Sequence, residues 1–545
     1  MKKILLIISS FCILTAGFAQ NEISMEAPSS APQYGVAEFV FRVQGSKITN
    51  PFTDVEITGI FTAGNSMISA EGFADSQDGS LFRLRFSPEN ANATYSYDIT
   101  FTGTDITKRF TGKLLSTPSQ DKGPVIADPV HPKHFIYKGT KEPFYHLGCT
   151  EYKLLDISNN DSQVEATIDY CRQMGFNKIR FLLTGYPRDY DSRTSDDVDH
   201  GVPEDPWKAP NYGSLPGKVN PLPAWSGKPH AYDFERFNVS QWQRVDKAVR
   251  LMKEKGIIAT CIIQIEKQNL PKEIGELTEN EYRLYRYAVA RLAAFNNVWW
   301  DLGNEHNEFR KPAWGNTMGD FVKAKDPYDR LASAHAYADF FYNDSRWAGF
   351  IVTQQYGDMD SVHNWALKYY KVPKPYINEE YGYEGMTDKP VGHGMNSEWV
   401  RKCHWAIAMA GGYGTYGDWS NGISYFYMGI PGPGKAAPQL KHLRNFFESL
   451  PFSEMIPSDN LTTNGYCLSK PHELFVLYLP DGGTTEIDLT TSAKKKLSAR
   501  WFDPVTGEWS VTSLLRKGKN LVKAPSGNDW VCLISADKEK KKSIR

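Results

Sequence analysis

Two rhythms in the sequence predict the fold class. Residues 129–452 alternate short apolar strands with helix-like stretches, while 27–118 and 455–536 break into β-rich runs every ten residues or so. Together they predict an α/β chain: a (β/α)8 TIM barrel flanked by N-terminal and C-terminal antiparallel β-sandwich domains. With 545 residues, 41% hydrophobic and 23% charged, the chain has a globular composition and enough length for several domains.

The N-terminus reads Lys2-Lys3, an apolar run from Ile4 to Ala16, and then Gly17-Phe18-Ala19. A charged start, an apolar core and a small-x-small site predict a signal peptide over 1–19, hence export to the periplasm or the extracellular space. The run is shorter than the roughly 20 apolar residues of a membrane span, and no later segment qualifies, so no integral membrane segment is expected. Cys12 leaves with this peptide. Cys149, Cys171, Cys261, Cys403, Cys467 and Cys532 remain, without metal-like spacing. Export permits disulfides, and Cys467 and Cys532, both in strands of the C-terminal domain, are the pair that could be bridged.

Ala37 to Val43, Val55 to Phe61 and Phe82 to Phe86 are alternating runs broken by Asn, Gly and Pro, as in an antiparallel sandwich. No catalytic cluster lies among them. The polar segment Ser116 to Pro124 is a connector.

Eight candidate strands follow: Phe144 to Leu147, Lys178 to Leu183, Ile257 to Ile265, Val298 to Leu302, Ser333 to Tyr337, Phe350 to Gln354, Tyr376 to Asn378 and Gly414 to Tyr416. Val164 to Met174, Gln241 to Lys255 and Glu279 to Phe295 are helix-like stretches between them. No G-x-G-x-x-G opens the first unit, which favours a closed barrel over a dinucleotide-binding open sheet. The unusually long segment between the second strand and the helix near Ser240 carries Tyr186, Tyr190, Trp207, Tyr212 and Trp225, rings that could line a sugar cleft or form a packed lid.

Beyond residue 455 short strands return, among them Leu474 to Leu479 and Leu497 to Phe502, with a turn over Asp503 to Trp509. The tail 537–545 is Lys-rich. Overall charge is −1, which gives no electrostatic reason to expect nucleic acid as a partner. Aromatic residues make up 13%, more flat apolar surface than a core needs, and sugar faces stack on such rings. Oligomeric state is left open.

In a barrel the chemistry sits just past the C-terminal ends of the strands. The fourth strand runs Val298-Trp299-Trp300-Asp301-Leu302-Gly303-Asn304-Glu305-His306, and the seventh runs Pro375-Tyr376-Ile377-Asn378-Glu379-Glu380-Tyr381-Gly382. Strands four and seven are nearly opposite, so their acids can face one another across the mouth. Cleaving an acetal needs one carboxyl to protonate the leaving oxygen and another to attack or stabilise the oxocarbenium-like centre. The expected substrate is therefore carbohydrate, with no cofactor and no catalytic metal, since His306 and Glu308 belong to no H-E-x-x-H or comparable ligand set.

Gly-Asn-Glu after strand four and Glu-Tyr-Gly after strand seven resemble the clan A retaining glycoside hydrolases. His134 to Gly139, Pro143 to Thr150, Gly175 to Arg180, Lys374-Pro375 and Glu384 resemble, more narrowly, the apiosidase-like branch of that clan. Glu71-Gly72-Phe73 with Arg83 to Pro88, and Trp501-Phe502-Asp503-Pro504, resemble its N-terminal sandwich and a C-terminal module labelled as collagen-binding; collagen binding is not inferred.

The resemblance implies roles position by position. Glu305 would be the general acid/base, Glu380 the nucleophile and Asn304 a ligand of the hydroxyl beside the reacting carbon. Arg180 would keep the nucleophile ionised, Tyr356 would donate a hydrogen bond to it, and Trp419 would floor the sugar site. Glu379 rivals Glu380, but strand side chains alternate faces and Glu380 precedes the aromatic-Gly pair. Where the clan often carries His-x-Tyr, this chain has Gln354-Gln355-Tyr356. The function implied is retaining hydrolysis of a plant or algal polysaccharide or oligosaccharide. The alternatives are a non-catalytic carbohydrate-binding or matrix-binding protein on the same scaffold, and an inverting hydrolase with more widely separated carboxyls.

Overall fold

The computed structural model describes residues 22–45, 47–155, 160–183, 225–228, 231–264, 274–337, 339–386, 394–422, 424–510 and 512–535. The expected signal peptide, the Lys-rich tail and the loop aromatics Tyr186, Tyr190, Trp207 and Tyr212 lie outside these residues. Of that long segment, Trp225–Lys228 forms a strand paired antiparallel with Ala231–Phe237.

The central domain is α/β, built on a parallel sheet of nine strands: β1 (Gly148–Thr150), β2 (Lys178–Leu182), β3 (Ile258–Ile262), β4 (Val298–Asp301), β5 (Ala332–Ser333), β6 (Ala336–Tyr337), β7 (Ile351–Gln354), β8 (Tyr376–Asn378) and β9 (Tyr413–Tyr416). Their order is β5-β4-β3-β2-β1-β9-β8-β7-β6, and every pairing between neighbours is parallel. Strands buried on both faces read as continuous apolar runs, as Val298-Trp299-Trp300 does.

Helices alternate with these strands: α1 (Asp161–Gln173), α2 (Val239–Glu254), α3 (Glu279–Leu292), α4 (Pro312–Lys325), α5 (Met359–Tyr369), α6 (Ser397–Met409) and α7 (Ala436–Glu448). Several begin where a side chain accepts an otherwise orphaned backbone N–H. Asn160, Thr278, Asp358 and Asn396 do so for α1, α3, α5 and α6, and Asn160 forms a reciprocal box with Gln163.

Two strand expectations need correction. The first parallel strand is Gly148–Thr150 and not Phe144 to Leu147; Pro143–Phe144 instead pairs antiparallel with Phe135–Tyr137 in a separate small sheet. Apolar content alone could not distinguish two adjacent buried segments. The fifth strand is split, with β5 pairing β4 and β6 pairing β7 on either side of Ala334 and His335. The two ends of the sheet are thus consecutive pieces of chain.

The N-terminal domain is an eight-stranded sheet that changes partners within Ser66–Ala74. Residues up to Glu71 pair with Glu56–Ala63, and Gly72 to Ala74 pair with Leu81–Phe86. Gly72 permits that crossing, because a Cβ there would stand 2.8 Å from both Arg83 O and Ile57 Cβ. Ala37, Phe39, Phe41 and Val43 alternate into its core.

The C-terminal domain combines a six-stranded antiparallel sheet with a separate antiparallel pair, Thr484–Asp488 and Lys519–Lys523. It docks on α6, where Arg401 makes bonds of 2.9 and 2.7 Å to Asp529 and the Trp405 ring lies 5.6 Å from that of Tyr478. Cys467 and Cys532 are not bridged. Leu477 lies between them, in register with each on adjacent strands, which puts them roughly 10 Å apart, beyond disulfide reach. Among the described residues no helix is long and apolar enough to cross a membrane.

A buried charge network joins the N-terminal domain to α2 and α3. Arg85 grips Asp246 through bonds of 2.9 and 2.7 Å and donates to Arg291 O at 2.6 Å. Arg291 in turn donates to Asp246 at 3.1 and 2.8 Å and to Asp75 at 2.7 Å. Burial pushes the Asp246 carboxyl up, but Arg85 and Arg291 outweigh it and hold it below the usual carboxylate range. Asp246→Asn should therefore destabilise the chain by about 3–5 kcal/mol in urea denaturation, because two buried guanidiniums lose their shared counterion. Since the folded pKa is lowered, Asp246's contribution is full above about pH 4 and is lost as pH falls through the lowered value.

Candidate active site

The C-terminal ends of the central strands hold a cluster of polar side chains around one buried guanidinium. Arg180, on β2, is 0% exposed. It donates from Nε to Asp301 Oδ2 at 3.1 Å and from Nη1 to Tyr152 Oη at 2.9 Å and Glu380 Oε1 at 3.1 Å; from Nη2 it donates to Asn304 Oδ1. His335 Nδ1 lies 2.7 Å from Nη2. Burial, and after it the Arg180 charge, keep His335 well below its ordinary pKa, so this imidazole is neutral.

Glu380 follows β8 and is 4% exposed. Its Oε1 receives Arg180 Nη1 and the Tyr152 hydroxyl, whereas Oε2 receives Tyr356 in a longer bond of 3.4 Å. The guanidinium thus holds Oε1, while Oε2 takes the longer phenol bond. Burial, above all other causes, raises the Tyr152 phenol well above its ordinary pKa, so it remains a donor.

Glu379 takes a different partner. Its Oε1 pairs with Lys178 and its Oε2 accepts from Thr415 Oγ1 at 2.5 Å, all fully buried. The expectation that alternation would send the two glutamates to opposite faces fails here. Strand geometry ends at Asn378, and both carboxyls reach cations on one face of β2, where Lys178 and Arg180 are two residues apart. Gly382 has φ +146°, and a Cβ there would meet Met395 Sδ at 2.5 Å and Trp399 at 2.6 Å, so the Glu-Tyr-Gly stretch requires its glycine.

Asn304 Oδ1 accepts from Arg180 and lies 3.0 Å from Tyr152 Oη, whose single proton goes to Glu380, and 2.6 Å from His335 Nδ1. With its oxygen so committed, Asn304 offers a ligand its amide NH2. Glu305 is half-buried and adopts a left-handed backbone, φ 47° and ψ 36°. It lies close enough to Tyr152 and Tyr356 for its charge, after burial and Glu380, to raise both phenols. The two carboxyls therefore act electrostatically on the same pair of hydroxyls.

Arg180, Asn304, Glu380 and Tyr356 thus come together as a bonded group, with Glu305 beside them. Trp419 sits in an adjoining aromatic cluster with Tyr152, Tyr383 and Phe426, its ring 6.4 Å from Tyr383 and 6.0 Å from Phe426. Sequence reasoning missed Tyr152, Asp301 and His335 as members and Lys178 as the partner of Glu379. Tyr152 was within reach, since it is a polar residue just past the first strand.

A buried, cation-held carboxylate beside a half-buried one, both at strand ends and ringed by phenols, is suited to acid/base work with nucleophilic attack. The comparisons agree with the fold. Residues 131–454, more than half of the chain, match the family described as "Apiosidase-like, catalytic domain". Residues 30–102 match a domain of unknown function, and 450–535 match a "Putative collagen-binding domain of a collagenase". No curated protein matches.

Among solved structures, a "putative glycoside hydrolase" from Bacteroides vulgatus superposes with a TM-score of 0.75 at 19% identity, covering 93% of this chain and 99% of that one. A glycoside hydrolase family 5 structure from the same organism gives 0.59 at 17% identity, covering 77% and 94%. Another structure described as a glycoside hydrolase gives 0.58 at 19%, covering 77% and 98%. At such identities these likenesses speak to fold alone.

The left-handed backbone at Glu305 carries a cost of about 1–2 kcal/mol for a residue other than glycine or asparagine. Glu305→Asn should raise stability by roughly 1 kcal/mol, read as a higher urea midpoint with an unchanged slope.

Proposed function

The chain belongs to the apiosidase-like family of glycoside hydrolases, and on that premise we propose that it cleaves glycosidic bonds with retention, by double displacement through Glu380 and Glu305. The observation that carries this reading is the asymmetric holding of Glu380. Arg180 and Tyr152 both donate to Oε1, while Oε2 accepts the longer Tyr356 bond and is the oxygen we assign to attack.

In the first step Glu380 Oε2 attacks the anomeric carbon. Glu305, protonated, gives its proton to the departing glycosidic oxygen, and a glycosyl ester forms on Glu380. Glu380 loses its negative charge in that ester, so Glu305 now stands ionised without a like charge opposite it. It takes a proton from water, whose oxygen attacks the same carbon and releases Glu380. The Asn304 amide NH2 holds the hydroxyl next to the reacting carbon, and the aromatic cluster containing Trp419 stacks on the sugar.

We read the scaffold as a (β/α)8 barrel, supported by the parallel sheet whose two ends are consecutive stretches of chain, with a sandwich at either end. The proposed substrate is a plant or algal polysaccharide or oligosaccharide. The proposed location is periplasmic or extracellular, on the N-terminal sequence pattern.

Incubating the wild type, Glu305→Gln and Glu380→Gln with a broad panel of plant and algal polysaccharides tests the assignment. Wild-type product should be lost in both folded variants, and proton NMR should show the first-formed anomer to have the configuration of the substrate linkage. Products that survive both changes, or a first-formed anomer of opposite configuration, contradict it. Tyr152→Phe removes a hydrogen bond to a charged group, worth about 1.5–3 kcal/mol, so kcat should fall on the order of tenfold to a hundredfold with little change in KM.

A further inference from the structure

On the face of β1 turned away from Arg180, three donor atoms converge. Thr150 is in register with Arg180, so alternation turns Cys149 and Glu151 to the other side, where α1 supplies Cys171. Cys149 Sγ lies 3.4 Å from Cys171 Sγ, Cys171 Sγ lies 3.7 Å from Glu151 Oε1, and the three donors fit within 4.8 Å of one another. Around a tetrahedral zinc ion, with bonds of about 2.3 Å to sulfur and 2.0–2.2 Å to oxygen, neighbouring donors stand roughly 3.5–3.8 Å apart.

A second observation points to a ligand. Glu151 is 6% exposed, and its Oε2 is buried without a hydrogen-bond partner. Buried carboxyl oxygens in native proteins have partners or coordinate ions, and thiols alone do not satisfy this one. Two soft sulfurs beside one carboxylate select a thiophilic cation over magnesium or calcium.

We propose that Cys149, Cys171 and Glu151 bind one divalent ion of the zinc class, with water in the fourth position. Binding breaks two S–H bonds and forms two metal–sulfur bonds and one metal–oxygen bond to the Glu151 carboxylate; the thiol protons and the proton that burial favours on Glu151 go to solvent, with no change of oxidation state. The ion lies across β1 from Arg180 and Glu380 and takes no part in bond cleavage. It ties β1 to α1 and fixes the residue preceding Tyr152. The cysteines are 22 residues apart, which hides the pair from any spacing rule.

The test uses the full untagged mature chain, loaded with zinc, dialysed and assayed by inductively coupled plasma mass spectrometry, and needs no substrate. One zinc per chain should be retained, and Cys171→Ser should lose it. Glu151→Gln should bind on the order of tenfold more weakly or worse. Cobalt(II) should give thiolate-to-metal charge-transfer absorption in the wild type that is absent from Cys171→Ser. If Cys171→Ser does not fold, the wild-type cobalt spectrum and the Glu151→Gln affinity decide. Six titratable thiols with no retained metal would overturn the proposal, as would a peptide cross-linked between Cys149 and Cys171.

Discussion

Arg180 is the interaction on which the rest of the site depends. A guanidinium with no exposed surface is tolerable only if its donors are engaged and its charge is met, and here it meets groups carried on or just past β1, β4 and β8, with His335 between β5 and β6. Because arginine is planar and cannot deprotonate, its side of these contacts keeps its charge and its fixed fork of donors at any pH. The site is therefore assembled by folding, before any ligand arrives, which is the condition for electrostatic preorganisation.

The flanking domain is attached on the same physical terms. Arg85 is, like Arg180, a buried arginine that meets carboxylates; it grips Asp246 with two bonds, and Asp246 is shared with Arg291. A charge cluster of this kind adds little net stability over an apolar contact, but it fixes one docking arrangement, because any shift would strand a buried charge. The contact falls on α2 and α3, away from the strand ends that carry Glu305 and Glu380.

What could be read beforehand followed from periodicity and from position relative to a strand end. Acids after apolar runs marked Glu305 and Glu380, and the alternating runs marked the two outer domains. Partner choice was not legible, because it depends on which residues the closing sheet brings together. Nothing in the run Tyr376-Ile377-Asn378-Glu379-Glu380 shows that Lys178 takes one acid and Arg180 the other, nor that alternation stops at Asn378. Cys467 and Cys532 failed for a related reason: membership of one sheet says nothing of adjacency, and Leu477 stands between them. Tyr152 was overlooked because the first strand starts at Gly148, four residues later than the apolar run suggested.

The division between the two glutamates has an electrostatic consequence. Lys178 and Glu379 neutralise one another, which leaves Arg180 as the cation facing both Asp301 and Glu380. Among these residues one guanidinium therefore faces two carboxyls at the strand ends. A pocket with more carboxyls than cations suits an occupant that becomes positive, and the oxocarbenium-like transition state of glycoside cleavage is positive where the neutral sugar is not. One guanidinium is thus divided between two carboxyls, and the Lys178–Glu379 pair keeps a third carboxyl from competing for it.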